Sequence, residues 1–107
     1  MCQGSGLSAE VWWEAVPKIP GAEAYIADGC VPGGTNRNWA SYGHLVAPLD
    51  EARRKLLADP QTSGGLLVAV DPAPQHEFEE IAKMLNWPAP VRPIGKLREG
   101  LSPIDVI

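Results

Sequence analysis

Two glycine-bearing segments carry the side chains best suited to binding a ligand. The first is VPGGTNRN, at residues 31–38. Adjacent glycines let the backbone approach a ligand and turn amide N–H groups towards it. The arginine adds a fixed positive charge that suits a phosphate or a carboxylate. The segment is not a P-loop, because no Gly-Lys-Ser/Thr follows it, and a structural turn with left-handed asparagines is the alternative interpretation. The candidate binding residues are Gly33, Gly34, Thr35, Asn36, Arg37 and Asn38.

The second segment is DPQTSGG, at residues 59–65, which leads directly into an apolar run. A polar, glycine-bearing turn beside a central strand is a common place for ligand contacts in α/β folds. The glycines would equally well allow a tight turn to pack against a sheet, and residue chemistry does not separate these two interpretations. The candidate binding residues are Gln61, Thr62, Ser63, Gly64 and Gly65.

The other reactive residue types are isolated from one another. Two cysteines, Cys2 and Cys30, do not make a disulfide framework in a chain of this length. No base lies next to Cys30 in the sequence, and His44 and His76 stand alone. The acidic residues are scattered along the sequence, whereas a metal site built on carboxylates needs them clustered. We therefore assign no catalytic residue and no metal ligand within this chain.

Size, charge and hydropathy restrict the class of protein. A chain of 107 residues predicts a single domain over residues 1–107. Its 13 acidic and 9 basic side chains give a net charge of −4, which argues against a nucleic-acid-binding face. No apolar run approaches the ~18 residues of a membrane span. Residues 2–6 lack the features of a signal peptide, which favours a cytoplasmic location.

The first half of the chain predicts a strand, a short helix and a long loop, and the loop contains the first candidate segment. Apolar residues alternate over residues 9–15, a pattern typical of a half-buried strand. Residues 22–27 predict a short helix that ends at Gly29. Residues 30–48 show no sustained period and predict a long irregular loop, with Trp39 and Tyr42 as its anchors.

The second half predicts helices layered on a sheet. A helix over residues 50–58 is favoured by Asp50 as its N-cap and by a Glu51–Lys55 pair. The continuous apolar run at 65–70 predicts a central strand covered on both faces. The remaining predicted elements are a helix over 75–85, with apolar residues at helical spacing, and strands over 91–97 and 104–107. The predicted fold class is α/β or α+β, with helices on one small mixed sheet.

The two segments also carry a resemblance to a known family. PGGTNRNWASYGH and LADPQTSGGLLVAV resemble the signature stretches in the C-terminal domain of selenophosphate synthetases, also called selenide, water dikinases. The flanking MCQGSGLSAEV and AEAYIADGCVPGGT are similar to the family as well. The resemblance covers nearly all of this chain but only the last part of a family member. It implies the fold of the C-terminal domain of aminoimidazole ribonucleotide synthetases, whose superfamily varies the DPQTSGG motif.

The resemblance implies a function for the parent enzyme and a limited role for this chain. The family converts selenide, ATP and water to selenophosphate, AMP and phosphate. Its catalytic cysteine or selenocysteine, its lysine and most of its Mg²⁺-binding aspartates lie in the N-terminal half and match nothing here. The chain is then a C-terminal fragment that is inactive alone and binds no cofactor alone. Its implied partners are the missing N-terminal ATP-binding domain, selenide and ATP, in a parent that is a homodimer.

Two other functions remain as alternatives. One is the C-terminal domain of another ATP-dependent member of the superfamily, against which the DPQTSGG string argues. The other is a free-standing interaction module, which belongs to a different class because it performs no reaction.

Overall fold

The computed structural model describes residues 1–87 and 91–107, which form two compact units. One unit comprises Met1–Thr62 and Ile94–Ile107, and the other is Ser63–Pro93. The class is α+β, as predicted, with short helices and a three-stranded mixed sheet. Within the described residues, no helix is long and apolar enough to cross a membrane. The helices are α1 (Cys2–Ser5), α2 (Ala22–Ala27), α3 (Gly34–Tyr42), α4 (Glu51–Leu57) and α5 (Gln75–Met84), and the strands are β1 (Leu7–Val11), β2 (Gly95–Glu99) and β3 (Asp105–Val106).

Strand β1 is the centre of the sheet, whose order is β2-β1-β3. β2 pairs with it antiparallel, with Leu7 opposite Glu99 and Val11 opposite Gly95. β3 pairs with it in parallel, and a parallel bridge joins Ile104 to Val46. The final predicted strand is thus confirmed at residues 104–106, whereas the one predicted over 91–97 begins only at Gly95.

The first strand ends earlier than the alternating pattern predicted. Residues 13–15 do not continue β1 but form a single 3₁₀ turn. The turn places the Trp13 ring in the interior, where it is 8% exposed. The Lys18 ammonium lies 4.1 Å from the ring centroid and the Arg53 guanidinium 5.2 Å from it. The prediction was wrong here because packing of one large ring decided the backbone path more strongly than the alternation did.

Helices α2 and α4 lie where the sequence predicted them. Gly29 follows α2 with φ of 82°, a left-handed conformation that glycine adopts without strain. At the start of α4, the Arg53 N–H donates to Asp50 Oδ1 at 2.9 Å, which confirms Asp50 as the N-cap. The predicted pair also forms, with Lys55 Nζ 2.7 Å from Glu51 Oε1.

The predicted loop over residues 30–48 was wrong in its central part, which is helix α3. Thr35, Asn38, Trp39 and Tyr42 are spaced i, i+3, i+4 and i+7, which is one face of a helix. Thr35 on this face is only 1% exposed, although Tyr42 is 38% exposed. The pattern was missed because threonine and asparagine count as polar, while here they are the residues that pack.

The strand predicted over residues 65–70 is absent from the described structure, although helix α5 after it is confirmed. Leu66 is 80% exposed and Leu67 is 65% exposed. A strand exists only when a neighbouring strand takes up its backbone hydrogen bonds, and no described residue pairs with this run. The apolar composition of the run therefore predicted its preference for the β conformation, but not whether a neighbouring strand would pair with it.

Candidate functional site

The first candidate segment forms the start of helix α3. Gly33 is the N-cap and Gly34 the first helical residue, and no side chain caps the helix. The Thr35 N–H donates to the Pro32 carbonyl at 3.1 Å, which closes the preceding turn. The first turn contains no acidic residue. Its amide groups therefore carry the partial positive charge of a helix N-terminus without an internal carboxylate to offset it.

The side chains of this segment divide between solvent and interior. Asn36 and Arg37 are exposed, so they are available to a ligand or to another part of a longer protein. Asn38 is half-buried, and its Nδ2 donates to the Ala58 carbonyl at 3.0 Å. Ala58 itself is fully buried. Asn38, predicted as a binding residue, thus holds α3 against the residue that follows α4.

The two candidate segments meet at Gly34 and Pro60. A Cβ at Gly34 would lie 2.9 Å from Pro60 Cγ and 3.0 Å from Pro60 Cβ, closer than carbon atoms normally approach. Glycine is therefore required at position 34 by the close approach of the second segment. At Gly33 a Cβ would meet no atom within 4 Å. The contact between the two segments is thus part of the fold and does not depend on which ligand they bind.

The residues of the second segment that follow Pro60 are exposed. Gln61 and Thr62 belong to the unit that contains α3. Ser63, Gly64 and Gly65 begin the other unit, where they are also exposed. A Cβ at Gly65 would meet no atom within 4 Å, so no described neighbour requires glycine there.

The Thr35 hydroxyl has no hydrogen-bond partner among the described residues. Its Oγ1 is buried, although the side chain was predicted to contact a ligand. An unsatisfied buried hydroxyl costs about 1–3 kcal/mol. The side chain is nonetheless only 1% exposed, so in this structure Thr35 packs within the fold.

A cavity that the sequence did not indicate lies within the larger unit. It measures about 260 Å³ and is lined by Trp13, Glu23, Ile26, Asp50, Ala52 and Arg53. The cations beside its tryptophan are already paired, since Lys18 Nζ lies 3.0 Å from Glu23 Oε1 and Arg53 Nε 3.3 Å from Asp50 Oδ2. Paired charges of this kind favour a structural role. No sequence motif could have located the cavity, because its lining comes from three separate stretches of chain.

A charged cluster spans the three strands of the sheet. Trp12 Nε1 donates to Glu10 Oε1 at 2.7 Å, and Arg98 forms an ion pair with Glu10. Arg98 also contacts Asp105 at 3.0 Å, and Lys96 Nζ lies 3.4 Å from Glu10. The Trp12 hydrogen bond, followed by the nearby cations, lowers the pKa of Glu10 from its ordinary value. The cluster connects all three strands of the sheet, so its role is to stabilise the fold.

The described residues do not form a magnesium site. Across residues 1–87 and 91–107, no three His, Cys, Asp or Glu side chains come together in a way that could hold a metal ion. Mg²⁺ is bound through carboxylates and phosphate oxygens. The side chains of the described residues therefore do not fit the ion.

Comparison with known proteins shows which sequences this chain is similar to. No family model matches the chain. The chain is 62% identical over 82 residues to a selenide, water dikinase of Cronobacter sakazakii, covering 77% of the chain and 24% of that protein. It is 55% identical over 97 residues to the enzyme of that name from Bordetella bronchiseptica, covering 91% of the chain and 28% of the relative. It is 50% identical over 99 residues to the enzyme of that name from Pseudomonas putida, covering 92% of the chain and 28% of that enzyme.

These matches agree in name and in extent. Identities of this size extend over most of the chain, while the chain spans about a quarter of the length of the curated relatives. The match fits the C-terminal domain of a selenophosphate synthetase. The chain therefore belongs to the selenide, water dikinase family.

Proposed function

We propose that the full-length protein makes selenophosphate from selenide, ATP and water and releases AMP and phosphate. The observation that carries this proposal is the 62% identity to a protein named selenide, water dikinase. ATP and Mg²⁺ would be bound by the rest of the protein, since the described residues of this chain offer no metal site. The family resemblance further supports a cytoplasmic homodimer as the complete enzyme.

The role we propose for this chain is to form one wall of the cleft in which ATP reacts. The joined segments support this role, because the Gly34–Pro60 contact fixes the start of α3 beside the beginning of DPQTSGG. Arg37 is exposed at that point and has the charge that a phosphate requires. The backbone amides at the start of α3, whose first turn contains no acidic side chain, also suit a phosphate.

The proposed role separates the predicted binding residues into those that pack within the fold and those left to contact a ligand. Thr35 and Asn38 pack within the fold, and Gly34 provides the close approach. The side chains or backbone amides left for a ligand are those of Gly33, Asn36, Arg37, Gln61, Thr62, Ser63, Gly64 and Gly65. None of these supplies a nucleophile of the family type, so the chain contributes to binding and not to bond formation.

The proposal is tested by assaying AMP formation in the full-length protein with and without selenide. We expect selenide-dependent AMP, and we expect Arg37→Ala to raise the KM for ATP by about 10- to 100-fold, the value of a charge-assisted hydrogen bond. Arg92→Ala, which changes an exposed arginine outside both segments, is the matched control. Absence of selenide-dependent AMP would overturn the proposed reaction. An unchanged KM in Arg37→Ala would remove Arg37 from the cleft.

A further inference from the structure

The Arg37 guanidinium lies against the start of helix α3. A Cβ at Gly34 would lie 3.9 Å from Arg37 Nη2, so the charged group has folded back along the helix by about one turn. Helical side chains point towards the N-terminus and cover the residue three or four positions earlier, which explains this direction. The charge of Arg37 is therefore placed beside Gly34, the first residue of the helix.

The Pro60 ring borders the same point from the second segment. The position that a Gly34 Cβ would take lies 2.9 Å from Pro60 Cγ, and the Arg37 guanidinium lies within 4 Å of it as well. Because Gly34 has no side chain, the ring and the guanidinium share the space beside its Cα. The ring cannot rotate away, since proline closes its side chain onto its own backbone. Pro60 therefore limits, on one side, the space in which the guanidinium can move.

The backbone on which both groups stand is held by one hydrogen bond. Ala58, which ends α4, is fully buried, and its carbonyl accepts from Asn38 Nδ2 at 3.0 Å. Asn38 directly follows Arg37 on α3, and Ala58 comes two residues before Pro60. The bond therefore fixes the helix from which the arginine projects relative to the chain that carries the ring.

The charge of Arg37 is not neutralised within its own unit. Among the described residues of Met1–Thr62 and Ile94–Ile107, no carboxylate forms an ion pair with it. A cation at a helix N-terminus also meets the partial positive charge of the helix amides, which is unfavourable. A phosphate oxygen at this point would interact favourably with the guanidinium and with the amides. The position of the guanidinium therefore suits an anionic ligand better than it suits the chain alone.

We propose that Pro60 is a positioning residue for ATP: it restricts the Arg37 guanidinium to the start of α3, where a phosphate group of the nucleotide would meet it. An arginine that moves freely in solvent loses rotamer freedom when it binds a phosphate, and this loss weakens binding. A guanidinium that the ring already restricts loses less, so the nucleotide binds more tightly. The inference rests on the proposed role of Arg37 in the cleft and gives the proline of DPQTSGG a function of its own.

A double-mutant cycle in the full-length protein tests whether Pro60 acts through Arg37. Pro60 is exposed, so Pro60→Ala removes the ring without opening a buried cavity. We expect the KM for ATP to rise about 2- to 10-fold, the value of immobilising one side chain, with kcat nearly unchanged. In Arg37→Ala protein the same substitution should change the KM by less than about twofold, because the residue that the ring positions is gone. Pro48→Ala, which changes another exposed proline of the same unit, is the matched control.

The mobility of the guanidinium provides a second measurement, which needs no activity. In full-length protein labelled with ¹⁵N-arginine, relaxation of the Arg37 Nε signal gives its order parameter, and loss of the signal in Arg37→Ala identifies it. We expect Pro60→Ala to lower this order parameter, because the ring no longer limits the guanidinium. The order parameter of Arg92, an exposed arginine outside both segments, should stay the same.

Two results would overturn the proposal. One is an equal rise in KM from Pro60→Ala with and without Arg37, which would show that the ring acts on the fold in general. The other is an Arg37 order parameter that Pro60→Ala leaves unchanged. Failure of the proposed function gives a different result, namely no selenide-dependent AMP or an unchanged KM in Arg37→Ala, so the two failures are distinguishable.

Discussion

Neighbouring glycines in the first segment serve different purposes. Gly33 and Gly34 look alike in the sequence, and both were predicted to let the backbone approach a ligand. In the structure only Gly34 has a close neighbour, and this neighbour is Pro60 of the second segment. The reason a glycine is needed depends on what lies opposite it, and sequence alone does not provide that information.

Gly34→Ala should destabilise the protein, because its Cβ would overlap the Pro60 ring, which cannot rotate away. We expect a loss of about 1–3 kcal/mol in the free energy of unfolding, as for other overpacked sites. Gly33→Ala is the matched control, since no atom lies within 4 Å of its Cβ position and its φ of −60° suits alanine. Urea denaturation of both variants measures the difference. Equal stability of the two would contradict the close approach.

Ser63→Ala tests whether the second segment serves chemistry or fold. The Ser63 side chain is exposed, so its removal leaves no cavity in the described structure. If it binds a phosphate in the full-length enzyme, activity or nucleotide affinity should fall roughly 10- to 100-fold, with the melting temperature nearly unchanged. Ser102→Ala, at another exposed serine, provides the comparison. Unchanged kinetics together with a lower melting temperature would show that the motif serves the fold.

Among the elements, those set by local signals were predicted and those set by distant partners were not. Helices α2, α4 and α5 contain their own caps, charge pairs or apolar stripes, so their positions followed from the sequence. Helix α3 was missed because its packing face uses Thr35 and Asn38. The run at 65–70 was predicted as a strand, but a strand needs a pairing partner, and a local apolar pattern does not determine whether one is present.

The charged cluster of the sheet predicts a dependence of stability on acid. The pKa of Glu10 is lowered in the folded protein, so its ionised form stabilises the fold above the ordinary value of 4.5. This stabilisation should disappear as the pH falls from 4.5 through the folded value. Glu10→Gln should therefore be less stable than the original chain at pH 7, with the difference shrinking towards pH 3.

Urea midpoints at the two pH values measure this effect. Glu99→Gln, which changes an exposed carboxylate on β2, is the control and should show little difference at either pH. A Glu10→Gln deficit that is the same at pH 7 and pH 3 would show that charge is not what the cluster contributes.

At the scale of the whole molecule, the 107-residue chain should fold without turning over ATP. Unit Met1–Thr62 with Ile94–Ile107 has its own sheet and helices, which supports folding. The residues described bring together no three His, Cys, Asp or Glu side chains that could hold a metal ion, and from this we predict no reaction by the chain alone. Circular dichroism and an AMP assay with Mg²⁺ check the two expectations. Mg²⁺-dependent ATP hydrolysis by the purified chain would contradict the second.

The sheet topology has a consequence for biosynthesis. Arg98 of β2 is 88 residues away from Glu10 of β1 along the chain, and β3 is later still. At ~5–20 residues per second, the ribosome takes on the order of several seconds to deliver either partner of β1. Throughout that interval the nascent central strand has no ladder, while α2, α3 and α4 are already complete. This part of the protein therefore closes its sheet last, and β1 has to stay soluble on the emerging chain, without a paired strand on either side, until β2 and β3 have been made.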